Sequence, residues 1–102
     1  MKMSKVYDLT NKLSSEKPKI KIGDLELTVD NGYKKVFAAQ EAISQQNERD
    51  AVLFTLNELL GEEQYKKVEE LDLNYEGIKT VFMGALAAAT GEDLEEFIKR
   101  FQ

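Results

Sequence analysis

The stretch Tyr75 to Ala89, YEGIKTVFMGALAAA, limits what this chain can fold into more than any other segment. Tyr75, Ile78, Phe82, Leu86 and Ala89 recur at helical spacing, and Val81, Met83 and Ala85 widen the stripe. A helix apolar over that much of its circumference has to be mostly buried. The segments before it are therefore expected to pack on it as layers, and the short amphipathic tail after it as a lid. At 102 residues the chain reads as a single domain, 1–102, with a real but small core.

Residues 19–29 carry the clearest local signal. KIKI and LELTV alternate apolar and polar residues on either side of Gly23-Asp24, and a glycine first suits a type II′ hairpin turn. That register pairs Ile22 with Leu25 and Ile20 with Leu27 on one face, and sets Lys21 against Glu26 on the other. Pro18 sits at the strand's start, where a missing donor is tolerated. A lone hairpin is marginal in water, so its apolar face must rest on the helices or extend a neighbour's sheet. Residues 1–17 form a polar arm with apolar anchors at Val6, Tyr7, Leu9 and Leu13. Such anchors imply that the arm docks, on its own core or on a neighbour. Val6, Tyr7 and Leu9 are the candidates for self-association.

After the hairpin segment, 18–30, residues 31–102 read as a helical bundle. Asp30 or Asn31 can cap the first helix, whose face is marked by Tyr33, Val36, Phe37, Gln40, Ile43 and Gln46. Asn47 followed by Asp50 has the form of a cap with an acid at the third helical position. Ala51, Val52, Leu53, Leu56, Leu59 and Leu60 come next on a broad apolar face, so 33–60 is one bent helix or two. Gly61 suits a stop for that helix or a cap for its successor, and Glu62-Glu63-Gln64 opens a short helix with Tyr65, Val68 and Leu71 inward. Asp72 or Asn74 caps the long apolar helix and Gly91 ends it; Thr90-Gly91-Glu92-Asp93 caps the tail. The fold expected is α+β and mostly α, an N-terminal arm and β-hairpin packed on four to five helices.

Chemistry is harder to place. The chain has no cysteine and no histidine, which excludes disulfides, thiolate metal sites and the usual general base. Carboxylates pair at Glu62/Glu63, Glu69/Glu70, Glu92/Asp93 and Glu95/Glu96, but adjacent helical residues point apart, as dipole complements and solvated faces do. No phosphate loop, nucleophile elbow or metal-ligand spacing is present. The expectation is no catalytic residue, no metal and no cofactor. The start, MKMSKVYDLT, has no apolar run of signal-peptide type, and no stretch reaches membrane-spanning length. A soluble, cytoplasmic protein with no membrane partner is expected.

Net charge is −5 but uneven: residues 1–35 carry eight lysines against five acids, and residues 36–102 six basic groups against fourteen acids. That split fits head-to-tail association, or simply a solvated surface, and the acidity argues against a nucleic-acid partner. Gly84 with Ala88, and Ala85 with Ala89, give a smooth flank for close approach, by a helix of the same chain or by a partner helix. Leu94, Phe97, Ile98 and Phe101 form the tail's apolar stripe, either a lid on the core or a surface offered to a partner.

Four local patterns in order carry a resemblance to a known family. Tyr7-Asp8-Leu9-Thr10-Asn11, Lys17-Pro18-Lys19-Ile20-Lys21-Ile22, Leu59-Leu60-Gly61-Glu62-Glu63, and Thr90-Gly91-Glu92-Asp93 before Arg100-Phe101 together resemble the tail assembly chaperones of long-tailed bacteriophages and prophages of Gram-positive bacteria. The resemblance implies a non-enzymatic morphogenesis factor in the host cytoplasm, absent from the mature virion. It implies binding to the long helical tape-measure protein, recruitment of tail-tube protein, and self-association into a homo-oligomer. It also implies a longer product made by ribosomal frameshifting. Two other classes compete. One is a small acidic regulator of antitoxin or anti-repressor type that titrates a basic partner. The other is a carboxylate hydrolase, which needs a cleft of converging acids.

Overall fold

In the computed structural model, which describes residues 5–14 and 16–100, the chain is mostly helical with one two-stranded antiparallel sheet. In order come a 3-10 turn at Thr10–Lys12, strands β1 (Lys19–Ile22) and β2 (Leu25–Thr28), and helices α1 (Tyr33–Gln45), α2 (Glu48–Glu70), α3 (Tyr75–Thr90) and α4 (Leu94–Arg100). The hairpin has the register its alternation predicts, with Ile20 opposite Leu27 and Ile22 opposite Leu25. Gly23 takes φ +60 and Asp24 does not go positive, the signature of a type II′ turn. Lys21 does lie opposite Glu26, yet the carboxylate of Glu26 reaches diagonally to Lys19, at 3.7 Å.

Residues 33–60 are two helices. Asn47 breaks them and caps α2, its Oδ1 accepting from the Asp50 N–H at 2.8 Å. The short helix expected from Glu62 is there: α2 is two helical segments that meet at a kink at Gly61, whose φ 82 and ψ 160 are not helical. The kink frees two carbonyls, one taken up by the hairpin's end and the other by a side chain of α2 itself. The Asp30 N–H donates to Leu59 O at 2.7 Å, and Gln64 Nε2 donates to Leu60 O at 2.7 Å. Gln64 also clasps the outer edge of β2, accepting from the Thr28 N–H at 2.9 Å and donating to Thr28 O at 2.7 Å. Part-buried polar backbone is thereby satisfied where helix and sheet meet.

The cap of α1 falls at Gly32, one residue beyond the two candidates. Asp30 instead closes the turn, accepting from the Gly32 N–H at 3.0 Å, which with Lys17 holds its carboxyl below the usual range. On α1, Val36, Ala39 and Ala42 are buried, while Tyr33, Phe37 and Gln40 from the expected face are exposed. The small alanines fit between α1 and α2, and the aromatic rings do not. Asn74 caps α3, accepting from the Gly77 N–H at 2.8 Å, and Gly91 ends it at φ 75. Within α3 the buried face is Val81, Phe82, Ala85, Leu86 and Ala87. Tyr75 lies outside that face: its hydroxyl donates to Glu48, which also pairs with Lys79 at 3.0 Å.

One continuous core joins Leu27 and Val29 of the hairpin segment to Leu56, Leu59 and Val68 of α2 and to the buried face of α3. Within it, Thr55 Oγ1 is fully buried without a hydrogen-bond partner. A buried hydroxyl left unpaired carries its full desolvation cost. Thr55→Val keeps the shape and removes that cost, so it should stabilise the fold by about 1 kcal/mol. Urea denaturation followed by circular dichroism measures it, and a loss of stability would show that the hydroxyl has a partner in solution.

Candidate functional site

A groove on the surface lies between β1 and α3. In a hairpin with a two-residue turn, opposed pairs alternate between hydrogen-bonded and open. Ile22–Leu25 and Ile20–Leu27 are the bonded pairs here, so Lys19 and Lys21 turn their N–H and C=O groups outward. The same alternation turns Thr28 outward on β2, where Gln64 receives it. No third strand adjoins β1 among the described residues, and none of these residues takes up the outward groups of Lys19 and Lys21.

Beside that edge, α3 presents Gly77, Thr80, Val81, Gly84 and Ala88. The groove between them has a volume of about 610 Å³, and Leu73, Glu92 and Leu94 also line it. All four residues of β1 line it. Strand side chains alternate between faces, so a groove that touches four in succession runs along the strand's edge. A Cβ placed on Gly84 would meet nothing within 4 Å. The flank of Gly84 and Ala88 is therefore open, not covered by another helix of the chain, while Ala85 is buried.

Two further apolar surfaces stand exposed among the described residues. Tyr33 and Phe37 stand 67% and 62% exposed on α1, their rings edge to face with centroids 5.9 Å apart. In the arm, Val6, Tyr7 and Leu9 are 87%, 73% and 59% exposed. None of the three belongs to the core, so the arm residues expected to self-associate are at least free for it. The tail residues divide. Phe97 is only 5% exposed and belongs to the core, with the Arg100 guanidinium over its ring. Ile98 is half-buried, Leu94 forms part of the groove's rim, and Phe101 lies outside the described residues. The stripe is thus split: α4 packs on α3 and draws Phe97 inward, while Leu94 stays 43% exposed.

The basic N-terminal third is partly neutralised within the chain. Lys17 pairs with Asp30 at 3.3 Å, and Lys35 reaches Glu58 at 3.8 Å. Exposed pairs of this kind contribute little stability, but they reduce the charge left for stacking. Among the described residues no three acids gather to hold a metal, and no helix is long and apolar enough to cross a membrane. Sequence reasoning placed Tyr33 and Phe37 on one helical face without showing that they stay exposed, and it missed the open edge of β1. The second was within reach, since a lone hairpin must have two edges.

Fold and groove define a small, mostly helical α+β domain with an open strand edge above a helix face of small residues. Comparison with protein-family models, curated proteins and solved structures returns no match to this chain.

Proposed function

We propose that this chain is a non-enzymatic assembly chaperone for a long-tailed bacteriophage. In this reading it binds the tape-measure protein in the host cytoplasm, aids addition of tail-tube protein, self-associates, and leaves before the virion matures. Residues 31–102 act as one helical bundle beneath the hairpin. The observation that carries the reading is that a small acidic domain keeps separate apolar surfaces open: the Tyr33/Phe37 pair on α1 and the groove between β1 and α3. Contiguous exposed apolar surface on a small protein marks an interaction site. A protein that holds a long amphipathic helix and also stacks on itself needs two such surfaces, one for each partner.

The rings of Tyr33 and Phe37 are assigned to the client helix, as aromatic anchors on a rigid element. Co-expression with the tape-measure protein and affinity capture tests this. Wild type should retain the client, and Tyr33→Ser with Phe37→Ser should weaken capture about tenfold or more. Both side chains are exposed, so the melting temperature should barely change. Failure of the wild-type chain to hold any tape-measure protein would remove the reading. Stoichiometric capture of a basic nucleic-acid-binding protein in its place would favour the acidic-regulator class.

A further inference from the structure

We infer that the groove between β1 and α3 receives the N-terminal arm of a second copy of this chain, which adds to β1 as a third strand. The inference rests on the self-association in the proposed function, and not on the identity of the client.

Among the described residues the edge of β1 and the apolar arm both lack a partner element, and the chain does not bring them together. The edge offers the N–H and C=O of Lys19 and Lys21 to an incoming strand. The segment Lys5 to Leu9 has no regular structure of its own and exposes Val6, Tyr7 and Leu9. Addition of an extended segment to an open edge is a common mode of peptide capture, in which backbone bonds give affinity and alternate side chains give register.

Side chains set the register. Along a strand Tyr7 and Leu9 share one face, and Val6 and Asp8 share the other. The Asp8 carboxylate, which accepts from the Thr10 N–H at 3.0 Å and the Thr10 hydroxyl at 2.6 Å, keeps its charge and cannot be turned onto the apolar floor. Tyr7 and Leu9 must therefore point down onto α3, where Gly84 and Ala88 leave room for them. Asp8 then emerges on the face that carries Lys19 and Lys21, and Lys21 has no ion pair among the described residues. Size, apolarity and charge agree on one orientation.

Such a contact is heterologous, with one copy's arm on the next copy's groove. It leaves an arm free at one end and a groove free at the other, and so continues as a file of copies. It is mainly apolar, so it should survive molar salt, unlike a purely electrostatic stack.

Two full-length variants test it. Tyr7→Ser with Leu9→Ser removes the donor and leaves the groove. Gly84→Leu fills the groove and leaves the donor, and the open space at Gly84 lets the fold accept the side chain. Sedimentation velocity should show wild type as concentration-dependent oligomers. Each variant alone should associate roughly a hundredfold more weakly. A mixture should form a one-to-one dimer that grows no further, because the only intact arm then meets the only intact groove. Oligomers of unchanged mass in either variant, or a mixture that stays monomeric, would overturn the inference. So would a wild-type chain that is monomeric at every concentration, which would mean the arm folds back in cis or stays free. Client capture is read separately. Its loss with an intact mixed dimer removes only the chaperone reading, and the reverse removes only the arm-exchange mode.

Discussion

Leu59→Ala is expected to lower the stability of the fold by about 2–5 kcal/mol, the range for emptying a fully buried leucine site. Leu59 has no solvent exposure and lies where the hairpin segment, α2 and α3 share one cluster. Its carbonyl also receives the Asp30 N–H at 2.7 Å, so the chain's exit from the hairpin rests on the same residue. Collapse around the lost methyl groups would move that backbone contact, which places the effect toward the upper part of the range. A domain of this size has roughly 5–15 kcal/mol in total. The variant should therefore melt about 10–30 °C lower by circular dichroism. Leu53→Ala on the same helix is the control. Leu53 is exposed, and its loss should cost well under about 1 kcal/mol. Equal, small losses at both positions would mean that the core is not centred on α2.

What the sequence makes legible here is what local chemistry decides. The hairpin register comes from KIKI and LELT around Gly23-Asp24, and the caps at Asn47, Asn74 and Gly91 come from residues whose own side chain or backbone suits a helix end. Which side of α1 turns inward is not decided locally. Val36, Ala39 and Ala42 compete with Tyr33 and Phe37 for the core, and hydrophobicity alone favours the aromatics. Close approach of α1 to α2 favours the alanines instead. Tyr75 is misread for a related reason, because its hydroxyl finds Glu48 on another helix, a contact no spacing rule reveals. The same limit applies to Gln64, which the sequence shows only as the third residue of a helical turn. Its role appears once the kink brings it against Thr28, thirty-six residues away. Of the candidate site, the small-residue flank of α3 and the apolar arm are visible in the sequence. The groove is not, since it exists only because β1 runs beside α3 with no third strand.

Two glycines in equally open space should respond in opposite directions to the same methyl group. Neither Gly61 nor Gly84 would bring a Cβ within 4 Å of another atom, so packing contributes nothing to the difference. Gly84 lies inside α3 with ordinary helical backbone, and Gly84→Ala should stabilise by about 1 kcal/mol through helix propensity. Gly61 holds φ 82 and ψ 160, a region open in practice to glycine alone, and Gly61→Ala should destabilise by about 1–3 kcal/mol. The chain has one way to escape that strain, which is to straighten α2. Straightening would return the carbonyls of Leu59 and Leu60 to the helix and withdraw them from Asp30 and Gln64. The clasp of Gln64 on Thr28 would then open, and the hairpin would lose its polar hold on α2 while keeping its apolar contacts. Amide exchange separates the two costs. Strain borne in place would accelerate exchange across the whole fold equally, whereas a straightened helix would expose the amides of Thr28 and Asp30 first. If Gly61→Ala were neutral in stability with those two amides still protected, the kink would not be what joins the hairpin to α2.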